Sequence, residues 1–135
     1  MHSFSFNICS LALSPIFFKI KKERPNAIQN SINLIEDEEK RTEYCEKYVD
    51  FLKVVRKNNP SAKIVCCLGI MTERLCPYVE KVADAYTAET GDGNISTLRF
   101  TVQLPEDGLA ANYHPTSRTH KKAAEKLADY LKTII

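Results

Sequence analysis

The sequence predicts an α/β domain in which helices cover a parallel sheet. Three observations carry this. An amphipathic helix over residues 42–57 leads into an apolar run at 63–68, a second helix starting near Pro77 leads into a strand candidate at 94–102, and a polar loop at 104–114 leads into a final helix at 116–132. Alternation of helical and extended patterns is the signature of a parallel sheet with helical crossovers. The 135 residues suit one domain, and a chain of that size buries a core without disulfides or metal.

Each element has its own justification. Residues 1–27 show no clear periodicity and form a poorly defined segment, so the domain is assigned to residues 28–135. Within it, residues 30–34 (NSINL) read as a short strand and residues 35–41 (IEDEEKR) as a charged connector. In the helix that follows, Tyr44, Tyr48, Phe51, Leu52 and Val55 fall on one face, and charged residues fill the other. Asn58, Asn59 and Pro60 end it.

The run KIVCCL at 63–68 is apolar on both parities, as expected of a strand buried on both faces. Pro77 suits the first turn of the next helix. Val79, Val82, Ala83 and Tyr86 give that helix its inner face, and Gly91 stops it. Ile95, Leu98, Phe100 and Val102 are available for burial from the strand at 94–102. In the last helix His120, Ala123, Ala124, Leu127, Ala128 and Leu131 share one face, so His120 reads as a satisfied core histidine.

Composition excludes several functions. A net charge of +2 is far from that of a nucleic-acid binder, and the one basic run, KIKKER at 19–24, is short and reads as a solvated segment. Residues 4–20 are too polar to span a bilayer and contain Pro15. Their basic residues follow the apolar part, the reverse of a signal peptide. Five cysteines, an odd count with no CxxC, argue against a disulfide framework. Cys66 and Cys67 point to opposite faces of a strand and cannot share a metal ion. No metal, no cofactor, no nucleic acid and no membrane partner are therefore expected. The unpaired cysteines and the lack of a clear signal peptide point to the cytoplasm. Asp92-Gly93-Asn94 lacks the repeated carboxylates of a calcium loop and reads as a turn.

The most informative segment is EDGLAANYHPTSRTH at 106–120. Pro115 disfavours the α conformation at His114, which holds that histidine extended at the end of a loop, just before a helix. In parallel sheets such loops, beyond the carboxyl ends of strands, carry the functional groups. A neutral imidazole placed there can take a hydroxyl proton and return it to a leaving group. By itself, a histidine before a proline is more often a solvated turn residue. The surrounding block raises the catalytic reading.

That block, with Asp107-Gly108, Asn112-Tyr113-His114-Pro115, Thr119-His120 and the helix from Lys121 to Leu131, resembles the last conserved block of SGNH (GDSL-like) hydrolases. It is most similar to carbohydrate esterases of family 2, which remove acetyl groups from xylan and related sugars. The resemblance covers residues 42–135. It implies the C-terminal part of a three-layer, flavodoxin-like fold, with His114 as the catalytic base and then acid. The family's acid two residues before the histidine is Asn112 here, which can orient the ring through its side-chain oxygen but cannot stabilise the imidazolium by charge.

The family's nucleophile lies in a Gly-Asp-Ser turn, and this sequence contains none. Ser3, Ser5, Ser10, Ser14, Ser31, Ser61, Ser96 and Ser117 all lack that setting. The expectation is a truncated or split esterase, acting on an acetylated carbohydrate once an N-terminal half completes it. The alternative is a pseudoenzyme or non-catalytic α/β interaction module of the same ancestry. An incomplete sheet is also expected to leave an open edge that favours self-association.

Overall fold

Parallel pairing fixes the architecture. The computed structural model describes residues 7–9 and 37–134. Within them the order is β1 (Asn7–Cys9), α1 (Glu38–Asn58), β2 (Ile64–Leu68), α2 (Cys76–Thr90), β3 (Ile95–Arg99), 3₁₀ turns at Pro105–Asp107 and Ala111–Tyr113, and α3 (Ser117–Ile134). The strands form one parallel sheet in the order β1-β2-β3. Ile8 lies opposite Val65, and Val65 opposite Ser96. The α/β class with a parallel sheet is what the chain adopts. β1 falls in the stretch that shows no periodicity, because a three-residue strand is too short to display one. The strand expected at 30–34 lies outside the described residues.

Helix α1 begins a turn earlier than its apolar pattern indicates. Asp37 is its N-cap and accepts a hydrogen bond from the Lys40 N–H at 3.2 Å. Glu38 and Glu39 occupy the first turn and Arg56 and Lys57 the last, both favourable to the helix dipole. Residues 38–41 of the charged stretch read as a connector are therefore the start of the helix, with Asp37 as its cap. Tyr44, Tyr48, Val49 and Leu52 are buried from α1, while Phe51 and Val55 pack at the margin. At the far end the Asn59 N–H reaches the carbonyls of Val55 and Arg56, and Pro60 prevents continuation.

Helix α2 follows the sequence pattern closely. Pro77 sits in its first turn, and Gly91 ends it at φ 71, donating its N–H to Thr87. Cys76, Val79, Val82, Ala83 and Tyr86 are buried. Of these, Val79, Val82 and Tyr86 join α1 and the Ile64 and Cys66 side chains of β2 in one core. Full burial of an aliphatic side chain such as Leu52 or Val82 contributes about 1.5–3 kcal/mol. Val65 and Cys67, on the opposite face of β2, are buried too.

Cys45, Cys66, Cys67 and Cys76 form no disulfides. Burial pushes the thiols of Cys45 and Cys76 above their ordinary value, so they pack as small hydrophobes. No described helix is long and apolar enough to cross a membrane.

The end of the sheet where β2 and β3 begin is tied by one arginine. Arg56 donates through Nε to Asp92 at 2.7 Å, and through its two terminal nitrogens to the carbonyls of Ala62 at 2.5 Å and Asn94 at 3.2 Å. The Tyr86 hydroxyl donates to the same Asp92 oxygen at 2.7 Å, and the Asn94 N–H to the other at 2.9 Å. Asp92-Gly93-Asn94 is therefore a turn, its carboxylate committed to these three donors.

Candidate functional site

β2 and β3 run parallel, so their carboxyl ends open on the same edge of the sheet. There the chain leaving β2 passes through Gly69 at φ +133. A Cβ at this position would stand 2.5 Å from the Phe100 carbonyl oxygen, so the close approach of two backbones requires glycine. The Phe100 N–H donates to the Leu68 carbonyl at 2.7 Å, and the Gln103 N–H to the Ile70 carbonyl at 2.6 Å. These bonds fasten the segment after β3 to the turn after β2.

The polar loop then closes on itself. Leu109 bridges Pro115 in antiparallel fashion, the Ala110 N–H donates to the His114 carbonyl at 2.9 Å, and the His114 N–H to the Ala111 carbonyl at 3.2 Å. At the tip Asn112 and Tyr113 adopt left-handed conformations, with φ 56 and φ 59. Asparagine is among the few non-glycine residues that adopt this region readily, because its short polar side chain can interact with the local backbone. Tyr113 tolerates it less well, and its carbonyl is held by the Gln103 side-chain amide at 2.9 Å. His114 itself is extended, φ −71 and ψ 154, as Pro115 demands.

His114 and Asn112, the two site residues expected from the sequence, sit together on this loop, and both are exposed. Among the described residues neither side chain has a hydrogen-bond partner, so the Asn112 oxygen does not orient the His114 ring in this structure. The left-handed turn gives Asn112 a separate, conformational reason to be there.

His120 corrects the sequence reading. It is exposed, and Thr119 is the buried residue of that turn. Besides buried Thr119, the half-buried side of α3 runs through Ala123, Leu127, Tyr130, Leu131 and Ile134, so the Ala123, Leu127 and Leu131 part of the expected face holds. Ala124 and Ala128 face outward, and alanines carry too little hydrophobicity to mark a face reliably.

Sequence reasoning missed the residues that hold the loop. The side chain of Asp107 is only 3% exposed, and both its oxygens accept from the Lys122 ammonium at 2.7 Å. Its carbonyl accepts from the Thr116 hydroxyl at 2.8 Å. A loop residue and a helix residue so far apart in sequence share no local period, so no pattern signals the pair.

An exposed imidazole at the mouth of a parallel sheet can act as a general base. Of the described serines, the Ser96 hydroxyl is buried without a partner, Ser117 opens α3, and Ser61 precedes β2 at the other end of the sheet. None is hydrogen-bonded to His114.

No family model matches the chain. Cellulase/esterase CelE of Acetivibrio thermocellus is 31% identical over 97 residues, covering 68% of this chain and 12% of that protein. The acetyl xylan esterase Est2A of Butyrivibrio proteoclasticus superposes with a TM-score of 0.69 at 27% identity, over 72% of this chain and 26% of that one. A family two carbohydrate esterase from Clostridium thermocellum, solved in complex with cellohexaose, gives a TM-score of 0.64 at 28% identity, over 69% of this chain and 30% of that one. The chain thus spans less than a third of each of these relatives. Over that span it is similar in both sequence and fold to part of the SGNH-type carbohydrate esterases of family 2.

Proposed function

We propose that this chain supplies the histidine-bearing part of a carbohydrate O-acetyl esterase, with His114 as its general base. The observation that carries the reading is the extended, exposed His114 at the carboxyl edge of a parallel sheet, in a chain similar to family 2 carbohydrate esterases. The related Clostridium thermocellum enzyme binds cellohexaose, which supports a carbohydrate ligand. In the reaction, a serine hydroxyl attacks the acetyl carbonyl while the His114 ring takes its proton. The imidazolium then protonates the departing sugar oxygen. Water, deprotonated by the same ring, releases acetate and restores the serine. Asn112 is assigned the role of orienting the ring once the site is complete.

The nucleophile must come from a Gly-Asp-Ser turn, which these 135 residues do not contain. The test is complementation. The chain alone should neither hydrolyse acetylated xylan nor label with a fluorophosphonate, which reports an activated serine. Adding a segment that bears a Gly-Asp-Ser turn should produce turnover. His114→Ala should then lower it by at least about 100-fold, and Asn112→Asp should raise it, because a carboxylate stabilises the imidazolium. Hydrolysis by the chain alone, abolished by substituting one of its own serines, would show the nucleophile to be misassigned. The lack of Gly-Asp-Ser favours a second reading, a non-catalytic α/β interaction module. On that reading no added segment ever restores turnover.

A further inference from the structure

We infer that Asp107 and Lys122 are positioning residues that clamp the His114 loop to α3. The inference rests on the reading of His114 as a base, but its geometry stands independently. The loop runs from Leu104 to Thr116, just before α3, and Asp107 grips it in two ways. Its carbonyl accepts from the Thr116 hydroxyl at 2.8 Å, which draws the two ends of the loop together. Its carboxylate accepts twice from the Lys122 ammonium at 2.7 Å, which ties that closed base to the second turn of the helix.

The two partners differ in surroundings. The Asp107 side chain is 3% exposed and the Lys122 side chain 54%, so the lysine reaches inward over a carboxylate already withdrawn from water. Beside the pair lies a cavity of about 100 Å³, lined by Val102, Leu104, Thr119 and Ala123 among others. The Thr119 hydroxyl at its wall is buried without a hydrogen-bond partner among the described residues. The base of the loop is therefore under-packed, and a polar clamp takes the place of apolar contacts in holding it. Among the described residues the other ties of the loop are the Arg118 guanidinium on the Glu106 carbonyl at 3.3 Å, the Leu109–Pro115 bridge, the short backbone bonds of the tip, and the Gln103 amide on the Tyr113 carbonyl. With the clamp intact, the extended backbone at His114 projects its ring from a fixed point.

Backbone order parameters measured by NMR on the full chain test this without requiring catalysis. Amides 109–114 should sit near about 0.85 in the parent protein and fall below about 0.6 in Lys122→Met and in Asp107→Asn. Amides of α1 and β2 should stay unchanged, and Lys122→Arg should keep the loop rigid. In the complemented esterase the same two variants should lower kcat by about 10- to 100-fold with KM unchanged, as expected for a displaced catalytic group. If Asp107→Asn does not fold, the largely exposed Lys122→Met decides. A loop that stays rigid in Lys122→Met overturns the inference. So does a loss of order spread equally over α1 and β2, or a Lys122→Arg variant as loose as Lys122→Met. A loop that loosens in a protein that never gains turnover would leave the clamp standing and remove the esterase reading instead.

Discussion

Replacing Arg56 by methionine keeps a long unbranched stem in place and removes the guanidinium. The side chains of Arg56 and Asp92 are 17% and 21% exposed, so the pair is mostly withdrawn from water. Breaking a fully buried pair by removing one partner costs about 3–5 kcal/mol. Two features reduce that figure here: a fifth of the Asp92 side chain still meets solvent, and its carboxylate keeps the Tyr86 hydroxyl and the Asn94 N–H. The carbonyls of Ala62 and Asn94 lose a donor as well, although the Asn94 side chain still serves Ala62.

The expected loss is about 2–4 kcal/mol. With a urea dependence of about 2 kcal/mol per molar, the middle of the usual range, the unfolding midpoint followed by far-UV circular dichroism should fall by about 1–2 M. The effect has a pH signature. Burial pushes the Asp92 carboxyl up, but Tyr86, Asn94 and Arg56 together outweigh it and hold the group below its ordinary value of 3.8. A depressed carboxyl stabilises the fold above its unfolded pKa and loses that contribution as pH falls through its folded one. The gap between the parent and Arg56→Met should therefore be full at neutral pH and shrink below about pH 4. A loss under about 0.5 kcal/mol, or a gap that does not change on acidification, would refute the role of Arg56 in tying the start of β2 to that of β3.

Three further outcomes follow from the packing. Gly69→Ala places a Cβ 2.5 Å from the Phe100 oxygen at φ +133 and should cost about 2 kcal/mol or more, seen in urea unfolding together with faster amide exchange at Phe100. Leu52→Ala, at a fully buried position of α1, should cost about 2–5 kcal/mol by the same unfolding assay. Tyr44→Phe removes a buried hydroxyl that has no hydrogen-bond partner among the described residues, and it should leave the midpoint unchanged or raise stability by up to about 1 kcal/mol.

The strongest local signals in the sequence correspond to the elements that agree with it. Pro77, Gly91 and a continuous apolar face define α2 because each acts through its own backbone geometry. KIVCCL reads as a doubly buried strand because both parities are apolar, and Ile64, Val65, Cys66 and Cys67 are all buried. The start of α1 was harder to see, since a cap and an acidic first turn resemble a charged loop when no apolar residue interrupts them. The strand expected through Val102 stops at Arg99: the Phe100 N–H closes the last rung on Leu68, and the Gln103 N–H then bonds to Ile70 in the turn after β2.

In the site, the conformation of His114 was legible because Pro115 imposes it locally. The Asp107–Lys122 pair was not, because it exists only after the loop has folded back on α3.

Gln103 has a consequence for how this surface can change. Its backbone N–H is spent on the turn after β2 and its side-chain amide on the tip beside His114. One residue therefore spans two loops that are distant in sequence, as a tie rod spans two walls. A change in Gly69–Ile70 that shifts the first loop pulls Gln103 and, through it, the backbone just ahead of the histidine. Variation in the two loops is thus constrained to be concerted: an insertion tolerated in either must preserve the spacing that Gln103 bridges, or be matched by a change in the other.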